Sequence, residues 1–175
     1  TIIKDNKLTK LDFNAIAKGY AVDIIASAMD KKNIDNYLID IGGEIIISGS
    51  KHNKPWVIGI QDPSSINDSS SFNIIANNFL AVATSGEYRN FKYNDDGAMT
   101  SHTFNPISKL SISNKSYSVT VVSKNSSMEA DALATALNVM GPNKGIEFAN
   151  EQDLSVMYIM QGNNLIKSNS WSYSD

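Results

Sequence analysis

The sequence predicts an α+β domain, with a mixed or antiparallel sheet packed by two main helices. Three observations carry this. Short β-branched runs recur along most of the chain. Two stretches switch to helical spacing, each set between groups of strands. Gly, Pro and Asn clusters punctuate the runs at short intervals. At 175 residues the chain suits one domain, residues 1–175, with a substantial core.

The elements follow in order. Residues 2–3 and 8–13 read as short extended pieces around a polar DNK turn. From Asn14 the period lengthens: Ile16, Tyr20, Ile24 and Ala28 recur at helical spacing to about Met29, with Asn14 or Asp12 as the expected cap. Gly19 inside that helix weakens it by roughly 1 kcal/mol relative to Ala, which implies that something approaches its backbone closely. Tyr37–Ile41 and Ile45–Ile47 flank Gly42-Gly43 and read as a strand pair or a bulged strand. PWVIGIQDP is a strand bounded by prolines, and SSINDSSS is a polar loop. Phe72–Ile75 and Phe79–Thr84 read as a hairpin turning at Asn77-Asn78. The following segment mixes strand with loop and has a tight turn at Asp96-Gly97. Tyr117–Ser123 is a strongly β-branched strand. A helix over Met128–Met140 stops at Gly141-Pro142, and a shorter one follows Asn143 to about Ala149. Leu154–Met160 and Leu165–Lys167 close the chain as a strand pair across Gly162.

Composition narrows the function. The formal charge is −3 with no Lys/Arg run, which argues against a nucleic-acid footprint. There is no cysteine, so disulfides, zinc thiolates, iron–sulfur clusters and cysteine nucleophiles are excluded. No apolar run reaches membrane-spanning length. The chain opens at Thr1 inside what reads as a strand, so a fragment or processed product is expected.

The Met128 helix poses the chemical question. On a wheel at roughly 100° per residue, Met128, Ala132, Ala136 and Met140, with Leu133 and Leu137, form the expected apolar face. Asp131 and Thr135 fall together elsewhere, as i and i+4 neighbours. Two oxygen donors one turn apart suit a hard cation such as Mg²⁺; the same spacing also describes a solvated helix flank. A Ser–His–Asp hydrolase is set aside, because no G-x-S-x-G elbow is present and Ser101 adjoins His102 directly.

AIAKGYAVD, LIDIGGEI, ATSGEYRNF, SHTFNP and SVTVVSKNSSMEADALATAL occur in that order. Together, from about Leu11 to Met160, they resemble the ApbE family, the FAD:protein FMN transferases. The resemblance implies an ApbE-like (T-fold-like) domain and the C-terminal portion of a family member. It implies Mg²⁺-dependent transfer of the FMN phosphoryl moiety from FAD to a Ser or Thr hydroxyl on an acceptor protein, releasing AMP. The alternatives are an FAD pyrophosphatase, in which water replaces the acceptor, and a non-catalytic FAD-binding module. The resemblance assigns the metal to Asp131, Thr135 and the main-chain carbonyl of Ala15, with Ala134 a weaker candidate. It assigns flavin-nucleotide contacts to Lys18, Ser85, Gly86, His102 and Thr103. It makes His102 the group that assists the acceptor hydroxyl. Arg89 would steady the TSG loop, and His52 receives no role. Family members carry Asp where this chain has Asn105. The change matters if that carboxylate orients the histidine, and is neutral if it only shapes an Asx turn. Ile107-Ser108-Lys109 also departs from the family's usual Thr-Gly. A periplasmic location, with a lipid anchor upstream to the inner membrane, is the last expectation from the resemblance.

Overall fold

The computed structural model describes residues 2–61, 70–86, 91–93, 99–101, 103–112, 116–160, 162 and 164–173. Its centre is a six-stranded antiparallel sheet of order β1-β2-β5-β8-β9-β10, formed by β1 (Tyr37–Ile41), β2 (Glu44–Ser48), β5 (Leu80–Gly86), β8 (Ser116–Ser123), β9 (Ser155–Met160) and β10 (Leu165–Lys167). β3 (Trp56–Gln61) and β4 (Ser70–Ala76) make a separate two-stranded sheet. β6 (Phe91–Tyr93) and β7 (Met99–Ser101) make another. The helices are α1 (Ala17–Asp30), α2 (Ser127–Met140) and α3 (Pro142–Glu151).

Both faces of the inner strands are covered, which is why β2, β8 and β9 are buried or half-buried along their whole length. Alternate residues divide between the two sides. Ile47, Leu80, Val82, Val122, Met157 and Ile159 meet Ile58, Ile60 and Ile74 of the β3–β4 pair. Val119, Val121, Val156 and Tyr158 meet Ala130, Ala134 and Leu137 of α2 and Ala149 of α3. Val22 and Ala26 of α1 pack on Ile39, Ile46 and Ala81 beside them. The C-terminal segment is stitched to β9: the Ser168 hydroxyl donates to Leu154 O (2.6 Å) and accepts from the Val156 N–H (2.9 Å).

Four expectations need correction. Residues 2–13 contain no strand; they form turns and irregular chain, with Ile2, Ile3 and Leu8 exposed. Neither Asp12 nor Asn14 caps α1. The N-cap is Ile16, and Asp12 Oδ1 accepts the Asn14 N–H instead, closing a local turn. The Asn77-Asn78 connection is not a hairpin, since β4 pairs with β3 while β5 lies between β2 and β8. Finally, α2 does not bury its methionines. Met128 and Met140 are 38% and 37% exposed, whereas Ala130, Asp131, Ala134, Leu137 and Asn138 are buried. Small residues let α2 approach the sheet and α1 closely, and the flexible methionines remain at the rim.

The two long helices cap each other. The first three N–H groups of an α-helix lack intrahelical partners. In α2, Asp23 of α1 accepts two of them, from Ser127 (2.8 Å) and Met128 (2.9 Å), and the N-cap Ser126 accepts the third, from Glu129 (3.0 Å). In return, Asp131 of α2 accepts the Gly19 N–H at the third position of α1 (3.0 Å). Asp23→Ala strands two donors at once and is expected to cost about 2 kcal/mol. Chemical denaturation should show this as a lowered midpoint with an unchanged slope; an unshifted midpoint would mean that water replaces the carboxylate freely.

Candidate functional site

Where the helix entrances meet the sheet, a cavity of about 740 Å³ opens. Asn14 and Lys18 line it from the start of α1, and Asp131 and Thr135 from α2. Asp40, Gly42, Gly43 and Glu44 line it from the β1–β2 hairpin, and Ser85 and Gly86 from the end of β5. Ile58, Gly59, Ile60 and Gln61 of β3 form the opposite wall. One side is therefore ionic and the other largely apolar.

The hairpin is a two-residue loop between the Ile41–Glu44 pair, with Gly42 and Gly43 both at positive φ (64° and 99°). Glycine adopts that region without penalty. The Gly43 N–H bonds to Asp40 Oδ1 at 2.9 Å, which fixes the turn. Glu44 then starts β2 with its side chain only 3% exposed, and its Oε2 pairs with Lys18 Nζ at 2.6 Å. Burial raises the Glu44 carboxyl above its usual range; Lys18 opposes the rise and Asp131 adds to it. Burial also raises Asp131, against the Gly19 N–H and the charge of Lys18. Two carboxylates, one lysine and the first turn of α1 thus form a single electrostatic unit.

The sequence-derived candidates divide as follows. Asp131, Thr135, Lys18, Ser85 and Gly86 meet at the cavity. Ala15 lies half-buried in the turn that enters α1, between the cavity-lining Asn14 and Lys18. Ala134 is buried in the core with Ala83 and Val119. Ser85 and Gly86 are not in a turn. They end β5, paired with Val119 and Ser118, because the ladder runs on past the threonine. Thr103 sits in the 103–112 loop, where its carbonyl accepts the Ile112 N–H (3.0 Å), and is not among the described residues lining the cavity. His102 and Arg89 lie outside the described residues. The Asn105 side-chain oxygen accepts N–H groups from Ile107 (2.9 Å) and Ser108 (3.2 Å), which is the Asx-turn use of that position.

Sequence reasoning missed Glu44, Asp40 and the β3 wall. A signal for Glu44 was available: a carboxylate directly after Gly-Gly and directly before three isoleucines, in a strand with no polar face on which to expose it. Among the described residues no three His, Cys, Asp or Glu side chains gather as a metal cluster. Among the described lining residues Asp131 and Thr135 of α2 offer oxygen donors one turn apart, beside the carboxylates of Asp40 and Glu44. Such a set fits a hard cation that keeps water or phosphate among its ligands.

This α+β fold is shared with solved flavin transferases. The ApbE family model matches residues 1–160, and the chain belongs to that family. It is 40% identical over 162 residues to the FAD:protein FMN transferase of Vibrio cholerae, covering 92% of this chain and 48% of that protein. It is 34% identical over 155 residues to the FAD:protein FMN transferase of Haemophilus influenzae, covering 88% and 44%. The solved flavin transferase ApbE from Vibrio cholerae superposes with a TM-score of 0.79 at 37% identity, covering 92% of this chain and 51% of that one. The ApbE protein from Thermotoga maritima gives 0.80 at 31% identity, covering 93% and 52%. The chain therefore spans about half the length of the relatives it matches. The expected α+β, ApbE-like fold is borne out.

Proposed function

We propose that the protein acts in Mg²⁺-dependent transfer of FMN from FAD to a Ser or Thr hydroxyl of an acceptor flavoprotein, with release of AMP. The observation that carries this is the Asp131–Gly19 contact. It joins the late helix to the entrance of the early one, at a cavity with room for a diphosphate. Asp131 and Thr135, with the Ala15 carbonyl, would hold the cation, whose chemistry there is to offset charge on the diphosphate.

Lys18 supplies a point charge to the phosphate oxygens, and the first turn of α1 adds partial positive charge. The isoleucines of β3 offer an apolar wall to the flavin ring system, and Ser85 and Gly86 bound the same space. A bond forms between the acceptor hydroxyl oxygen and the phosphorus of the FMN half. The bond from that phosphorus to the bridging oxygen breaks, and AMP leaves with the electron pair. His102 takes the hydroxyl proton. Thr103, the next residue, contacts the flavin nucleotide in this scheme. The proposed setting is the periplasm, with a lipid anchor to the inner membrane outside these 175 residues; support for it is the family resemblance alone.

The test incubates the full-length protein with FAD, Mg²⁺ and a flavin-acceptor domain, and reads FMN on the acceptor by in-gel fluorescence and mass. Acceptor-bound FMN with stoichiometric AMP is the expected result. Free FMN and AMP without an acceptor would favour the pyrophosphatase, and bound but intact FAD the non-catalytic module.

A further inference from the structure

We propose that Glu44 is a positioning residue: an internal counter-charge that holds Lys18 and makes binding of an anionic nucleotide depend on a divalent cation. The inference rests on the reading of the cavity as a diphosphate site. The described lining residues include three carboxylates, Asp40, Glu44 and Asp131, and one cationic side chain, Lys18. Glu44 is 2% exposed, and its Oε2 lies 2.6 Å from Lys18 Nζ, while the lysine side chain keeps 49% of its exposure. The lysine stem runs beside the Gly-Gly turn; a methyl on Gly42 would lie 3.8 Å from Lys18 Cδ. Hairpin and carboxylate together therefore fix where the ammonium sits.

A buried carboxylate at the head of an apolar strand is costly to desolvate, and its ion pair does little more than offset that cost. Stability does not account for it; the position of Lys18 does. An ammonium has three donors, so one bond to Glu44 leaves two for a ligand. The charge of the lysine, however, is already matched. Among the described lining residues the carboxylates outnumber the lysine, so a diphosphate entering without a divalent cation meets their repulsion, which an added cation offsets. Glu44 thus keeps the lysine aimed while withholding the affinity that would let FAD bind unproductively without metal.

The experiment measures FAD affinity by quenching of flavin fluorescence, in excess chelator and in Mg²⁺, for the full-length wild type and Glu44→Gln. The amide keeps the shape and removes the charge. In chelator, E44Q is expected to bind FAD about tenfold more tightly than the wild type, the scale of one partly buried charge pair. The ratio of chelator to Mg²⁺ dissociation constants shrinks correspondingly. ADP, a diphosphate without flavin, should show the same shift. Glu44→Asp retains the charge and should retain the metal dependence. Glu44→Ala removes the charge with a smaller side chain and gives a second measurement if E44Q folds poorly. An E44Q or E44A ratio equal to that of a wild type that binds FAD overturns the proposal for Glu44 alone. A wild type that binds no FAD with or without Mg²⁺ overturns the cavity reading along with it.

Discussion

Asp131→Asn is expected to lower FMN transfer by roughly 10²–10³-fold while leaving the melting temperature nearly unchanged. The two halves of this expectation come from one side chain. Asp131 is 5% exposed and sits on the face of α2 that meets α1, where its Oδ2 accepts the Gly19 N–H. An asparagine oxygen can accept the same bond, so the joint between the helices survives. Burial already disfavours the ionised form of Asp131, so removing the charge relieves the fold of a cost. The site, however, loses the carboxylate proposed to hold the cation. Thr135 and main-chain carbonyls are neutral and bind a divalent ion weakly without it. Activity titrated against Mg²⁺, beside a thermal melt, checks both parts. Undiminished transfer with an unaltered Mg²⁺ response would remove Asp131 from the chemistry. A large fall in melting temperature would recast it as a structural capping residue.

The sequence pointed to Asp131 but misjudged its surroundings, and the reason is physical. A helical wheel ranks residues by apolarity, and on that ranking Met128 and Met140 mark the inner face. What decides the inner face here is size. Ala130 and Ala134 allow the sheet and α1 to come close, and Asp131 lies on that same side. The carboxylate is thus buried by the smallness of its neighbours, which no hydrophobicity pattern encodes. Local pattern and stop signals did locate the three described helices and strands β8, β9 and β10, because each is a local property of its segment. Partner choice is not local. β4 leaves β5 for β3, and nothing at Asn77-Asn78 distinguishes a tight turn from a crossover between sheets. Lys18 was legible as a cation at a helix entrance. Its pairing with Glu44 was not, because the two positions stand 26 residues apart and only the fold brings them to 2.6 Å.

Gly19→Ala should destabilise the protein by about 2–4 kcal/mol and weaken flavin transfer with it. The sign runs against ordinary expectation. In an exposed helix interior, alanine is better than glycine by about 1 kcal/mol, and it also restricts the unfolded chain. Here a methyl would stand 2.7 Å from Met128 Cα and nearer still to Ser127 O. These are backbone atoms at the head of α2, and α2 is anchored there by the Asp23 carboxylate. They cannot yield as the end of a flexible side chain would, so α1 must move. That motion lengthens the Gly19–Asp131 bond, shifts Lys18, the residue before Gly19, away from Glu44, and spreads the cavity. Loss of stability and loss of activity therefore arrive together, unlike the pattern expected for Asp131→Asn. Gly43→Ala is the control. It meets no atom within 4 Å but holds φ at +99°, so its cost is local strain of about 1–2 kcal/mol, with α1 undisturbed. Denaturant midpoints for the two variants separate the cases, the larger fall belonging to Gly19→Ala. If Gly19→Ala proves as stable as the wild type, the helix entrances are not in close contact in solution, and the cavity described between them would have to be drawn differently.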